Sequence, residues 1–233
     1  MNMVFIVAEC GVNFRNTTEV KRMIGLAKEA GADSVKFQIY RQEHVKGHPR
    51  QQELEDIILK PEQIKYLKQA ADGCGIEFFA TPYFPEAVDW LEDAGVKRYK
   101  IRYADRYNSE LIKRIKSTGE LYVMSCDGEY LMTEQADDVR SDPRCVFAFC
   151  IPEYPPKTTI VPGGFDIFYG YSSHYPSIVP PLVAAARGCQ YLEVHVKENK
   201  YSGGYKPIDD AVSITFSQLA VLCGFVREIE KIE

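Results

Sequence analysis

The chain has 233 residues, of which 45% are hydrophobic and 26% charged, with a formal net charge of −5; this excludes disordered, collagen-like and low-complexity classes and suits one large α/β domain. A mean hydropathy of −0.25 and the lack of an apolar run near the roughly 18 residues of a spanning helix exclude a membrane protein. Charges of both signs are spread along the chain, so there is no basic stripe for nucleic acid. The seven cysteines are scattered and form no CxxC, which points to reduced thiols in a cytoplasmic protein rather than a disulfide framework or a zinc knuckle.

Short β-type runs alternate with helical stretches from one end to the other. Val4–Cys10 reads as a first strand; it has neither the basic leader nor the cleavage site of a secretion signal. A helix opens at Thr17 and stops near Ala30-Gly31. Strand Ser34–Ile39 is followed by a polar loop carrying His44, Lys46, His48 and Arg50, read as solvated or as a lid. Pro61 then opens a helix running to Gly73, with proline at a favoured first position. Strand Glu77–Thr81, helix Phe84–Ala94, strand Arg98–Arg102, helix Ser109–Thr118 and strand Leu121–Cys126 come next. Between Asp127 and Arg144 the helix is short at best. Strands Cys145–Ile151 and Ile167–Ser172 flank a Pro/Gly-rich stretch that allows hardly one turn. Helix Ile178–Gly188, strand Tyr191–Val196 and helix Ala211–Ile232 complete the chain. Eight βα units predict an α/β fold of the (β/α)8 TIM-barrel type, a single domain over residues 1–233 with shortened helices after strands 5 and 6. The alternative, a doubly wound open sheet, lacks its usual GxGxxG turn.

Active sites of such barrels form at the C-terminal strand ends, and every strand here carries polar residues there. Glu9 ends the first, Lys36 and Gln38 lie on the second, and Thr81 ends the third. Lys100 lies in the fourth with Asp105 just beyond. Ser125 ends the fifth, Tyr154 follows the sixth, Ser172 and His174 close the seventh, and Glu193 and His195 lie on the eighth. Pairs at i and i+2 project to one side of a strand, and such side chains avoid a packed interior unless paired or functional. His174 and His195, at the ends of adjacent strands, suit one divalent metal in a mixed N/O shell. Lys36 and Lys100 with Thr81, Ser125 and Ser172 make an anion cradle for a phosphate monoester or phosphocarboxylate. One of the lysines could instead form a Schiff base, and nothing local in the sequence separates the two uses.

Several motifs resemble the sialic acid synthase family: Ala8-Glu9-Cys10-Gly11-Val12-Asn13, Ala30-Gly31-Ala32-Asp33-Ser34-Val35-Lys36-Phe37-Gln38, Phe79-Ala80-Thr81-Pro82 and Tyr99-Lys100-Ile101. Gly170-Tyr171-Ser172-Ser173-His174, Leu192-Glu193-Val194-His195 and Asp209-Asp210-Ala211-Val212-Ser213 follow in the same order. The resemblance implies condensation of phosphoenolpyruvate with an N-acylated aldose such as N-acetylmannosamine, giving a 2-keto sugar acid and phosphate. It implies a divalent metal on His174 and His195, manganese first, with Mg2+ or Co2+ as substitutes, and phosphoenolpyruvate held by Lys36, Lys100, Thr81, Ser125 and Ser172. Glu9, Tyr154, Glu193 and Asp209 would handle sugar, water and protons, with Asp105 counted among the catalytic set. A homodimer is implied as well.

The chain also departs from the family pattern. Tyr103 stands where a phosphate-binding serine is usual, Pro152 where an Asn or Ser precedes the Tyr-Pro signature, and Phe14 where a histidine follows Asn13. The family's C-terminal antifreeze-like domain, which supplies an arginine to the sugar site, is expected to be missing; a separate antifreeze-like protein is then an implied partner, or Arg15, Arg41, Arg102 or Arg106 substitutes. Other readings are a Schiff-base or metal aldolase using pyruvate, and a degenerate barrel binding an anionic sugar or a partner protein.

Overall fold

Strands that are apolar on both faces belong in a parallel sheet covered by helices, and the computed structural model, which describes residues 3–232, is built that way. The strands are β1 (Phe5–Gly11), β2 (Ser34–Ile39), β3 (Glu77–Pro82), β4 (Arg98–Ile101), β5 (Leu121–Cys126), β6 (Cys145–Cys150), β7 (Gly170–Ser173) and β8 (Tyr191–Lys197). Each pairs in parallel with the next, and β8 pairs back onto β1, so the barrel is closed. Around it run α1 (Thr17–Glu29), α2 (Gln51–Asp56), α3 (Pro61–Cys74), α4 (Pro85–Asp93), α5 (Ser109–Ser117), α6 (Gly128–Leu131), α7 (Asp137–Arg140), α8 (Val179–Ala186) and α9 (Phe216–Ile229). Asn16 caps α1 by accepting from the Glu19 amide at 3.0 Å, and Gly75, at a φ of +66° that favours glycine, ends α3.

After β5 the single-turn α6 and α7 form with a 3-10 turn at Glu134–Ala136 between them, and no helix lies between β6 and β7 among the described residues, where the sequence is rich in Pro and Gly. Two expectations shift. The seventh strand begins at Gly170 rather than at Ile167, which is 73% exposed. The single helix expected over Ala211–Ile232 is divided. Ser213 is extended, Ile214–Thr215 form a two-residue strand β9 against β8, and α9 starts only after Thr215. The β-branched pair Ile214-Thr215 favours the extended stretch, and Thr215 with Gln218 forms a capping box that sets the new start.

The end of the barrel opposite the strand C-termini is packed shut. Arg98 reaches Glu77 at 2.7 Å and lies over the Phe5 ring, which stacks on Tyr191. Arg227 of α9 pairs with Asp33 at 2.8 Å and donates to the Val4 carbonyl at 2.8 Å, while Glu230 accepts from the Val4 amide at 2.6 Å. At the other end, β1 carries an irregularity: Glu9 faces Lys36, but Gly11 faces Phe37. Gly11 takes a φ of +51°, a conformation glycine adopts without strain.

Candidate active site

The strand C-termini enclose a cavity of about 780 Å³. Of the strand-end residues singled out in the sequence, all but Asp105 line it, with Asp209 beside them. Of the four candidate arginines Arg102 lines it and Arg15, Arg41 and Arg106 do not, and the i, i+2 pairs Lys36/Gln38, Ser172/His174 and Glu193/His195 all face inward.

The floor is a buried network of charges. Lys36 Nζ lies 2.8 Å from Thr81 Oγ1, 2.9 Å from Glu9 Oε2 and 3.6 Å from Glu193 Oε1. Lys100 Nζ donates to Glu193 Oε2 at 2.8 Å, Ser172 Oγ to Oε1 at 3.0 Å, and the Tyr191 hydroxyl to Oε2 at 2.5 Å. Both lysines and both glutamates are at most 5% exposed. Two ammoniums thus meet two carboxylates, and the cations are matched before any ligand arrives. Burial raises the Glu193 carboxyl, but Lys100 and Lys36 outweigh it and hold it well below the usual range. Burial likewise lowers Lys36, yet Glu193 and Glu9 reverse the effect and keep its ammonium charged beyond the ordinary lysine range. A hydrogen-bonded chain continues upward: Gln38 donates to Glu9 Oε1 at 3.1 Å, and the Tyr83 hydroxyl donates to Gln38 Oε1 at 2.5 Å.

Above the floor the rings of His174 and His195 lie 5.3 Å apart. His174 Nδ1 is 2.8 Å from the Ile151 carbonyl and therefore carries the proton, leaving Nε2 as an acceptor for the Tyr154 hydroxyl at 2.8 Å. Burial and the neighbouring His195 push His174 down to about 3, so this imidazole is neutral. Burial also lowers His195, but Asp209, whose Oδ2 is 3.3 Å from Nδ1, raises it above the ordinary value. Asp209 is aimed by the fully buried Asn13, whose Oδ1 accepts from the Asp209 amide at 2.8 Å and whose Nδ2 donates to Val196 O and Ser213 Oγ, each at 2.9 Å.

These residues fit a divalent cation. A neutral imidazole oriented by a backbone carbonyl is the usual form of a ligating histidine, and His195 Nδ1 and Glu9 Oε2 are buried without a directed hydrogen bond, their charged neighbours notwithstanding. Among the described residues no group of three or more His, Cys, Asp or Glu converges on a common point. The nitrogen donors that the cavity offers to such a cation are the imidazoles of His174 and His195.

Asp105 is not brought into the cavity wall. It is buried behind Arg102, whose Nε it binds. Ser125 lines the cavity beside Cys150, whose thiol burial pushes up to about 12, which disfavours the thiolate. The polar loop after β2 is partly structured: Gln42–Val45 form a 3-10 turn, α2 follows, and His44 stacks on Phe84 at the cavity mouth. Sequence reasoning passed over Tyr83, Cys150 and the aiming role of Asn13. Tyr83 could have been found by carrying the alternation two residues beyond Thr81.

A model of the NeuB family matches residues 23–233. The chain belongs to the NeuB family. It is 28% identical to an N,N'-diacetyllegionaminic acid synthase of Campylobacter jejuni, over 99% of this chain and 78% of that protein. It is also 28% identical to the human N-acetylneuraminate-9-phosphate synthase, over 97% of this chain and 70% of that one. A crystal structure of N-acetylneuraminic acid synthetase from Leptospira borgpetersenii, in complex with citrate, superposes with a TM-score of 0.84 at 25% identity, covering 99% of this chain and 85% of the other. The barrel is thus a NeuB barrel, of the sugar-acid synthase type. No helix among the described residues is long and apolar enough to cross a membrane.

Proposed function

We propose that this NeuB-family barrel condenses phosphoenolpyruvate with an N-acylated aldose, releasing a 2-keto sugar acid and inorganic phosphate. The observation that carries this reading is the charge-matched floor of Lys36, Lys100, Glu9 and Glu193 directly beneath His174 and His195. Lys36, Lys100, Thr81, Ser125 and Ser172 hold the enol phosphate. His174 and His195 hold the divalent metal, manganese in this proposal, which when bound polarises the aldehyde of the open-chain sugar. The methylene carbon of phosphoenolpyruvate forms the new bond to that aldehyde carbon, whose oxygen takes up a proton. Water then adds to the former enol carbon, and the tetrahedral adduct expels phosphate to leave the ketone. Glu9, Glu193 and Asp209 are the carboxylates within reach of these proton movements, and Tyr154 orients the His174 edge of the cavity.

The pyruvate aldolase alternative needs a neutral amine. Lys36 is poorly suited to that role, because its two carboxylates favour the ammonium. The test is phosphate release from phosphoenolpyruvate with manganese, with and without a panel of N-acylated aldoses, beside His174→Ala. Aldose-dependent release abolished by the substitution is the expected result. No release with any aldose, or borohydride trapping of pyruvate on Lys36 or Lys100, sinks the reading.

A further inference from the structure

Arg102 differs from the two buried lysines of the cavity. Lys36 and Lys100 face carboxylates that themselves line the wall, whereas the counter-ion of Arg102 does not. Among the described residues Arg102 is the one arginine in the lining. It follows Lys100 by two residues and so points to the same side of the chain. Its side chain is 35% exposed against 2% for Lys100, which places it between floor and mouth. Asp105 holds it from behind through Nε, and through Nη2 at 3.3 Å. The Tyr83 ring supports one flat face, 3.5 Å from the guanidinium carbon. Tyr83 is tied in turn through Gln38 to Glu9. A guanidinium fixed by a carboxylate on its Nε–Nη2 edge and by a ring on one face has given up its rotamer freedom before binding, which favours recognition of a phosphate through its remaining Nη donors.

We propose that Arg102 binds a phosphate monoester of the substrate and sets specificity for it, with Asp105 as its positioning residue. The inference rests on the synthase reading above and extends it to a residue outside the lysine floor. The phosphate belongs either to the enol donor or to a phosphorylated acceptor sugar, and the experiment separates these sources.

Titration calorimetry on the full chain would compare Arg102→Ala and Arg102→Lys with the parent, using inorganic phosphate, phosphoenolpyruvate and pyruvate as probes. Expected is a loss of about tenfold to a hundredfold for the phosphate-bearing probes in Arg102→Ala, the size of a charged hydrogen bond, with pyruvate unaffected. Arg102→Lys keeps the charge without the fork and should fall between; it also serves if the alanine variant folds poorly. Asp105→Asn should weaken phosphate binding, and Asp105→Glu should restore part of it. Should the donor probes be unaffected, KM for N-acetylmannosamine with and without a phosphate on its primary hydroxyl reads the acceptor source: only the phosphorylated sugar should lose affinity. Equal behaviour of parent and Arg102 variants on every phosphate-bearing probe overturns the proposal, as does an equal loss for pyruvate. Failure of the parent to turn over any aldose while Arg102-dependent phosphate binding persists would instead remove the synthase reading and leave this one standing.

Discussion

Glu193→Gln isolates the charge balance at the barrel floor, because glutamine keeps the shape of glutamate and removes only its charge. Glu193 lies 2.8 Å from Lys100 and 3.6 Å from Lys36. Neutralising it leaves two buried ammoniums against Glu9 alone, and the cluster passes from zero to one uncompensated positive charge. Breaking a buried pair in this way costs about 3–5 kcal/mol, which for a chain of this size lowers the unfolding temperature by roughly 6–20 °C. The pH must be chosen with the sign in view. The folded carboxyl titrates below its ordinary 4.5, so its contribution is complete above that value and is lost as pH falls through the folded one. Lys36, raised above 10.5, contributes fully below that value and loses its contribution as pH rises through its folded one. Both are complete at neutral pH, so urea unfolding at pH 7, followed by the single tryptophan, Trp90, reads the whole difference. Glu193→Gln together with Lys100→Met should recover part of it by removing the orphaned cation. A Glu193→Gln unfolding free energy within about 0.5 kcal/mol of the parent's, the range of an indifferent surface change, would refute the charge-matching argument.

Gly11→Ala should abolish activity with a stability cost of only about 1–2 kcal/mol, since a Cβ there would sit 3.2 Å from Asp209 Oδ2, 3.3 Å from Gln38 Nε2 and 3.4 Å from Glu9 Oε1; full activity on phosphate release would contradict the placement. Gly170→Ala should destabilise by about 1–3 kcal/mol or more, the cost of overpacking, because the new carbon would lie 2.7 Å from the Tyr191 ring and 2.9 Å from its carbonyl oxygen; thermal unfolding checks it. His174, lowered to about 3 while an unfolded histidine titrates near 6.5, should erode stability as pH drops from 6.5 towards 3. Its ring-proton NMR signals should accordingly stay on the neutral side between pH 8 and about 5, and an ordinary titration curve there would refute the burial argument.

The site was legible where chemistry broke a pattern. A lysine or glutamate within an otherwise apolar parallel strand is conspicuous, so Lys36, Lys100 and Glu193 stand out from sequence, and alternation places their i+2 partners beside them. What sequence could not supply was the pairing. Nothing local says that Glu193 of β8 meets Lys100 of β4 across the barrel, a contact 93 residues apart; the lysines expected to cradle an anion therefore also face carboxylates that the sequence did not pair with them. Tyr83 and Cys150 were missed for the opposite reason, since an aromatic or a thiol at a strand end looks like core. Asp105 was grouped with the site because it follows β4, but the 3-10 turn at Tyr103–Asp105 carries it back onto Arg102 and out of the lining. The capping box at Thr215 was readable from the spacing to Gln218 alone, and it would have divided the last helix correctly.

The latch between Arg227, Glu230 and Val4 bears on the order in which the molecule can be completed. Those bonds join residues 223 and 226 positions apart, so the first strand of the barrel, translated before the other seven, stays without its α9 partners until α9 itself has emerged. The same holds for its edge, because β8 is the strand that closes onto it. Contacts of such separation make folding slow, and the nascent chain must carry an apolar strand with one open edge until β8 has been made. Truncation within α9 would accordingly be felt at the start of β1, as a barrel that fails to shut.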